Sequence, residues 1–341
     1  MKKHCNQAGT PPGTTWRISS NELYTCRVAD PRDLPGIHAD NMMAGLAPGE
    51  RLRYLLYSPI WEGKLAPFGI TAEPASHAFA VAQDRFLISR DSHVKGAAPV
   101  LRIVPFSDVL YVQLGSSFCL GWFAVLFAEP ARPAYKLLLF QAIRKDRFAA
   151  AIREYRSSVA QGHNLDPAQS EAAWDRVWGQ DLSQAQRIRE LLVFGERPIR
   201  ALHSSELWVE QRSLWKRKWS CIVCEELLLA TDIGIFHVAR ETYDRLVTWN
   251  IGMNVVYVPH QAVRSAAIAQ KVLLGKRVNY VRLNLARKNV TTCLEVPFDE
   301  SDVEKAEELV RHLMGRESSW NQKQVQAQST HLTPSAKGVQ T

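Results

Sequence analysis

Two cysteines three positions apart are the first residues in this chain whose spacing suggests chemistry. Cys221 and Cys224 have the spacing of half a zinc site or of a thiol–disulfide motif. A tetrahedral zinc site needs a second pair of ligands, which is missing here. The pair also lies in strand-like sequence, where positions i and i+3 point to opposite faces, and no helix start follows, as a redox motif requires. The sequence predicts two buried small side chains and no metal.

The chain carries no recognisable catalytic set. Its ten histidines are scattered without ligand spacing, and His237 lies in an alternating strand pattern typical of a core or cross-strand position. No nucleophile elbow, phosphate-binding loop or dinucleotide fingerprint is present. Without a nucleophile, a base and its orienting group, the sequence predicts a protein that is not an enzyme and uses no cofactor.

The tract LWKRKW, residues 214–219, is the strongest candidate for a binding site. Residues 211–220 hold four basic residues and no acid. Such residues can meet phosphates while neighbouring indole rings lie at a lipid headgroup interface or stack on bases. The alternative is a solvated hairpin whose tryptophans cap the fold. The candidate residues are Arg212, Trp215, Lys216, Arg217, Lys218 and Trp219.

A second basic stretch spans residues 264–288, with seven basic residues and no acid, whereas residues 295–308 carry seven acids and one lysine. This polarity favours docking onto an anionic surface, although solvated strands and helices also carry such charges. Its candidate binding residues are Arg264, Lys271, Lys276 and Arg277.

Composition indicates a globular protein with room for two domains. The chain has 341 residues, of which 46% are hydrophobic and 22% charged, with a net charge of +8. Six irregularly spaced cysteines imply no disulfide scaffold. The polar N-terminus lacks the apolar core of a secretory signal. These features predict a cytoplasmic protein, and the modest net charge predicts no nucleic-acid partner.

An internal repeat organises the chain. MAGLAPGERLRYLLYS at 43–58 resembles RELLVFGERPIRALHS at 189–204, and FAVAQDRFLISRD at 79–91 resembles LLLATDIGIFHVARE at 228–242. Further matches follow in the same order, and their offset grows from 146 residues at Gly49 and Gly195 to 158 at Gly121 and Asn279. Loop insertions in the second copy would produce this growth. Each copy reads as a short helix, a Gly-Glu-Arg turn, six or seven strands and a closing amphipathic helix.

This pattern resembles the bacterial pleckstrin-homology-like domains. The resemblance rests on the GER turn, the AQDRFLISRD and ATDIGIFHVAR hairpins, the VPFSDV and VPHQAV segments and the closing helix. It implies a mainly β (α+β) fold of two tandem partial barrels, each a bent antiparallel sheet closed by its C-terminal helix. The expected organisation is a disordered tail at 1–38, domains at 39–156 and 182–315, a helical linker at 157–181 and a disordered tail at 316–341. In the linker, Asp166 is expected to cap a short helix that begins at Pro167.

The resemblance also suggests what the domains bind. In phosphoinositide-binding members of that superfamily, basic residues between the first two strands hold the headgroup, and Arg212, Lys216 and Lys218 match those positions loosely, against only Lys64 in the first copy. Because the fold alone does not choose a ligand, we expect a non-enzymatic protein that docks a protein partner. Peripheral binding to anionic lipid headgroups through the second copy is the alternative, and homo-oligomerisation is open.

Residues 109–128 form an uncharged, mostly apolar run with the length of a membrane-spanning helix. Their counterpart at 263–286 carries five basic residues and could not lie in hydrocarbon. The repeat therefore predicts two strands joined around residues 116–120 and buried on both faces. Such an apolar pair would lie at an interface with the second copy or with another subunit.

Overall fold

The computed structural model describes residues 25–59, 63–65, 70–72, 75–91, 100–117, 120–161, 165–178, 187–212, 217–241 and 252–315. The described chain is mainly β, built from antiparallel sheets, none of which closes into a barrel. This confirms the mainly β class. Within the described residues, no helix has the length and apolarity needed to cross a bilayer.

The first half runs to the end of the third helix. Its helices are α1 (Ile37–Ala44), α2 (Lys145–Val159) and α3 (Pro167–Trp178). Its strands are β1 (Cys26–Arg27), β2 (Tyr54–Ser58), β3 (Gly63–Leu65), β4 (Ile70–Ala72), β5 (His77–Val81), β6 (Arg85–Arg90), β7 (Val100–Pro105), β8 (Val109–Ser117), β9 (Leu120–Ala128) and β10 (Pro133–Gln141).

The second half repeats the order of the strands after β1 and ends in helix α4, residues 303–315. Before its GER turn, where the sequence predicted a short helix, the described residues form a 3₁₀ turn at Arg189–Leu191. The strands of the second half are β11 (Pro198–Ser204), β12 (Leu207–Arg212), β13 (Arg217–Val223), β14 (Glu226–Thr231), β15 (Gly234–Glu241), β16 (Gly252–Pro259), β17 (Val263–Leu273), β18 (Lys276–Arg287) and β19 (Val290–Phe298). Apart from β1, which only the first half has, each half contains four strands paired in chain order, a three-stranded meander and a closing helix. Each half also has an inserted two-stranded hairpin, which is β3–β4 or β12–β13.

Local details repeat as well. A 3₁₀ turn follows Pro105 and another follows Pro259. The next strand in each half carries a register shift at its start, between Val109 and Tyr111 and between Val263 and Ser265. Gly49 and Gly195, the glycines of the two GER turns, have φ angles of +77° and +82°, a conformation that glycine adopts without steric cost.

The two halves share one sheet. Strand β8 of the first half pairs antiparallel with β16 of the second, with Val112 opposite Tyr257, so that seven strands run in the order β10-β9-β8-β16-β15-β14-β11. The uncharged run at 109–128 forms β8 and β9, as expected, and the edge of β8 is the junction between the halves. The resemblance implied two tandem partial barrels, each a bent sheet of its own. Instead, the four-stranded sheet of the second half continues into the meander of the first half.

The shared sheet separates two hydrophobic cores. Leu227 and Leu229 of β14 point into a core with the aromatic side chains of the first half and of α2, whereas Leu228 and Ala230 point into a core beneath β17–β19 and α4. Alternating strand residues therefore belong to different cores. This accounts for the continuous apolar runs, since both faces of the sheet are covered.

The ends of the domains differ in part from the expected boundaries. Ordered structure begins before residue 39, because β1 pairs with β2 and a 3₁₀ turn covers Pro31–Asp33. Residues 1–24 and the predicted tail at 316–341 lie outside the described residues. In the linker, the Asp166 carboxylate caps α3 as expected, accepting from the Ala168 amide at 3.0 Å. Helix α3 is more than a linker, because Trp174 is buried in the first core.

Candidate functional site

The LWKRKW tract lies at a hairpin. Its flanks form β12 and β13, which place Arg212 opposite Arg217 and Glu210 opposite Trp219. Trp215 and Lys216 lie outside the described residues, and for Arg212, Arg217, Lys218 and Trp219 only the backbone is described. The prediction that these side chains form a binding surface stays a prediction, and the backbone of these four residues lies in the paired strands β12 and β13.

The second basic stretch divides into two groups with different roles. Lys271 and Arg282 both bind the carboxylate of Glu295, and these contacts lower its pKa. Arg287 donates to the Val109 carbonyl oxygen at 3.2 Å, and Lys288 binds Asp108 at 2.8 Å. The last two contacts join the halves, so part of this basic stretch holds the fold together instead of facing a ligand.

The remaining basic residues of this stretch are exposed. Arg264 lies at the start of β17, and Lys276 and Arg277 lie at the start of β18. Across the described part of the chain, none of the three forms an ion pair. The tip of the β17–β18 hairpin therefore combines an unneutralised pair of cations with the apolar residues that precede them.

Those apolar residues are unusually exposed. Val272 and Leu274 have 66% and 56% of their surface accessible. Leu274 and Gly275 form the two-residue turn with φ angles of +47° and +79°, which matches the primed turn geometry that favours Asn-Gly. A leucine in the left-handed region is sterically costly. A strained, exposed leucine between basic residues suggests selection for something other than folding stability.

A small cluster brings the two candidate hairpins to one end of the second half. Val223 at the base of β13 packs with Val278 and Tyr280 of β18, and Leu207 and Leu273 complete the contact. The base of the β12–β13 hairpin therefore rests against the outer part of the β17–β18 hairpin. The structure places the two basic stretches on adjacent hairpins, a relationship that their separation in sequence concealed.

The cysteine pair lies at the end of β13, and the two side chains contact each other, whereas the sequence predicted that they point to opposite faces. Cys221 and Cys224 are half-buried, where the sequence predicted burial, and Cys221 donates to the Val223 carbonyl oxygen at 2.9 Å. Burial raises the pKa of Cys221 to about 12, which disfavours the reactive thiolate. The described residues contain no group of three or more His, Cys, Asp or Glu side chains suited to a metal ion.

His237 occupies a cross-strand position, as predicted. The side chain is buried, and its Nε2 lies 2.6 Å from a carboxylate oxygen of Glu226 on the neighbouring strand β14. The expectation of a core or cross-strand histidine is confirmed.

A buried histidine network in the first half was not predicted from the sequence. His38 of α1 contacts the Ser89 hydroxyl through Nδ1 at 2.8 Å and the Ser76 hydroxyl through Nε2 at 3.0 Å. Asp91 binds Ser76. In a catalytic triad the carboxylate would instead orient the base through its second ring nitrogen, which here faces Ser89. The network holds α1 on the sheet, and residues so far apart in sequence gave no local signal.

A charged cleft lies beside α2. It has a volume of about 390 Å³ and is lined by Arg27, Arg147 and Arg153 together with Asp146, Glu154 and Glu190. The Arg27 guanidinium lies 4.9 Å from the centre of the Tyr54 ring. Because charges of both signs alternate around the cleft, it does not form a selective site for an anion or a cation.

No protein-family model matches the chain, and no curated protein is significantly similar to it.

Proposed function

We propose that this chain is a non-enzymatic binding protein made of two pleckstrin-homology-like halves, and that it docks on an anionic membrane surface through hairpins β12–β13 and β17–β18. The PH-like interpretation is supported by the order of strands in each half, four and then three, followed by a helix. Membrane docking is the alternative that the sequence left open, and the adjacency of the two basic hairpins favours it.

The observation that carries the proposal is the tip of the β17–β18 hairpin. Val272 and Leu274 would enter the headgroup region while Lys276 and Arg277 meet lipid phosphates. Each basic residue near an anionic leaflet contributes about 1 kcal/mol, and burying an aliphatic side chain contributes about 1.5–3 kcal/mol. The neighbouring β12–β13 hairpin would add Lys216, Arg217 and Lys218 with their tryptophans.

Vesicle co-sedimentation tests the proposal. The full chain should bind phosphatidylcholine vesicles that contain phosphatidylserine, bind pure phosphatidylcholine poorly, and dissociate as salt is raised. The double variant Lys276→Glu/Arg277→Glu should lose most of the binding. The control Arg51→Glu/Arg132→Glu makes the same change of net charge on exposed residues of the first half and should bind normally. If both variants lost vesicle binding equally, the loss would be due to net charge alone and the hairpin site would be rejected.

A second variant separates docking from folding. Leu274→Asn replaces a strained leucine by a residue suited to the turn. It should keep or raise the free energy of unfolding while weakening vesicle binding. The Lys216→Ala/Arg217→Ala/Lys218→Ala variant measures the contribution of the other hairpin. Failure of the wild type to bind anionic vesicles at low salt would eliminate the proposal.

Docking of a protein partner is the second candidate, and Phe194 favours it. This side chain is 82% exposed, yet its turn is held by a hydrogen bond of 3.0 Å from the Val193 amide to Glu196. Aromatic residues, phenylalanine included, are enriched at protein interfaces. Affinity capture from the native host with wild type and with Phe194→Ser tests this role, because a specific partner should be lost with the ring.

A further inference from the structure

The two halves are joined where strand β8 pairs with the edge of β16, and one residue of helix α2, Arg156, covers this pair. Strand β8 adds to the edge of β16, and Val112 lies opposite Tyr257. The Arg156 guanidinium, from the end of α2, lies 4.5 Å from the centre of the Tyr257 ring. The joint therefore consists of the first meander strand and closing helix of one half against the fourth strand of the other.

The counterparts of these two strands, one in each half, are edge strands. Strand β7, the fourth strand of the first half, and β17, the first meander strand of the second half, each end their sheets among the described strands. Their apolar residues are exposed, with Ile103 of β7 at 43% and Ile268 of β17 at 38%. Exposed edges of this kind accept another strand unless something covers them.

Residue positions in β8 and β16, which pair inside the molecule, correspond to positions in the edge strands β17 and β7. Ile103 and Tyr257 each lie two residues before the proline that ends their strand, and both strands pair with a hairpin partner in the same register. Ala266 and Val112 each lie three residues after the start of a meander strand with the same register shift. The two exposed edges are therefore counterparts of a pair that is already in contact.

The helix contributes a matching residue. Met314 lies sixteen residues after Phe298, as Arg156 does after Phe140, and these two phenylalanines hold the same register place in their meanders. The Met314 sulfur accepts from the Ala266 amide at 3.3 Å, and its side chain is 37% exposed. In the internal joint, Arg156 lies over the Tyr257 ring. The corresponding residues at the edge strands are Met314 and Ile103, and both are exposed.

We infer that a second copy of this chain docks head to tail, with β17 of one molecule added antiparallel to β7 of the next. By analogy with the internal joint, Ala266 lies opposite Ile103 and Ile268 lies opposite Leu101. Met314 releases the Ala266 amide, which then pairs with β7, and its side chain covers Ile103. This contact is heterologous, since the two surfaces differ, so it leaves a free edge at each end of the pair and propagates into longer assemblies.

The contact between molecules is smaller than the internal joint. Phe236, which stacks with Arg156 inside the molecule, has Leu87 as its counterpart. Leu87 is already covered, because it packs with Met42 of α1. We therefore expect association that depends on concentration, in contrast to the permanent joint within the chain.

Sedimentation velocity of the full chain, without lipid, tests this inference independently of membrane docking. The wild type should form species larger than a dimer as its concentration rises. Ile268→Glu removes the β17 surface and Ile103→Lys removes the β7 surface, so each variant alone should be monomeric. Their equimolar mixture has one intact surface of each kind and should form dimers and nothing larger.

Several outcomes would overturn the inference. These are a wild type that stays monomeric at high concentration, a mixture that stays monomeric, or association that survives Ile103→Lys and so reports pairing of β17 with itself. Ile143→Lys is the matched control, because Ile143 is 77% exposed and lies on neither edge, and it should associate like the wild type. Urea midpoints equal to the wild type confirm that each variant is folded.

Discussion

Arg156, from the helix that closes the first half, forms an ion pair with Glu196 of the second half, and neither side chain has any exposed surface. Arg156 also donates to the Leu191 carbonyl oxygen, and the Trp174 indole donates to the Glu196 carbonyl oxygen at 2.7 Å. Both charges are therefore paired and hydrogen-bonded, as buried charges must be. Glu196 therefore links two helices of the first half, α2 through Arg156 and α3 through Trp174, to the second half.

The corresponding glutamate of the first half has a local partner. Glu50 binds Arg85 of its own hairpin at 2.5 Å, and its carboxylate accepts from the Ala47 amide as Glu196 accepts from Val193. In the second half, Gly234 occupies the position of Arg85. Arg156 supplies the missing cation from the other half. The repeat has thus diverged so that the second half depends on the first.

Removing one partner of this buried pair should be costly. Arg156→Met leaves Glu196 buried and unpaired, and we expect the free energy of unfolding to fall by about 3–5 kcal/mol. In the double variant Arg156→Met/Glu196→Gln the loss should be smaller than the sum of the single losses, by about 0.5–3 kcal/mol. Urea unfolding of all four proteins measures this coupling, and strictly additive losses would contradict the pairing.

His77 should make stability depend on pH. Burial lowers the pKa of its ring from 6.5 to about 3. Below pH 6.5 the unfolded chain binds a proton that the folded chain does not bind until about pH 3, so stability is full above this window and is lost as pH falls through it. The expected slope is about 1.4 kcal/mol per pH unit.

The variant His77→Phe should remove that slope. The His77 Nε2 has no hydrogen-bond partner among the described residues, and the ring already lies 6.3 Å from that of Phe148. Urea titrations from pH 8 to pH 5 should show the variant losing less stability than the wild type. Burial also lowers the pKa of His38, so a smaller slope should remain. Parallel pH curves for the two proteins would be inconsistent with a neutral buried His77.

Gly115 should not tolerate a side chain. It lies in β8 opposite Trp122, and a Cβ there would come within 2.0 Å of the indole. Gly115→Ala must displace the tryptophan in the sheet that both halves share, at a cost of about 1–3 kcal/mol. Gly315→Ala is the control, since a Cβ at Gly315 meets no atom within 4 Å. Thermal unfolding compares the two variants, and similar midpoints would argue against the close packing.

Asp166 should stabilise α3 as its N-cap. Its carboxylate accepts from the amides of Ala168 and Gln169 at 3.0 and 3.3 Å. Asp166→Ala should lower the free energy of unfolding by about 1 kcal/mol, whereas Asp166→Asn keeps a capping oxygen and should cost much less. Chemical denaturation distinguishes them, and equal losses would mean that the carboxylate acts through its charge alone.

The sequence by itself determined the repeat, the strands and the caps. These features depend on near neighbours: alternating apolar residues, glycines at the two GER turns, and an aspartate before a proline at 166–167. The prediction that the run at 109–128 forms two strands at an interface also followed, because its basic counterpart excluded a membrane helix.

Only the tertiary structure decided which strands meet and which charges are buried. Val112 and Tyr257 pair across many intervening residues, and no local period encodes such a partner. Arg156 reads in sequence as an ordinary charge on an amphipathic helix, yet it is fully buried. The adjacency of the two basic hairpins likewise depends on contacts such as that of Val223 with Val278. Long-range packing selects among many arrangements that the local pattern allows equally.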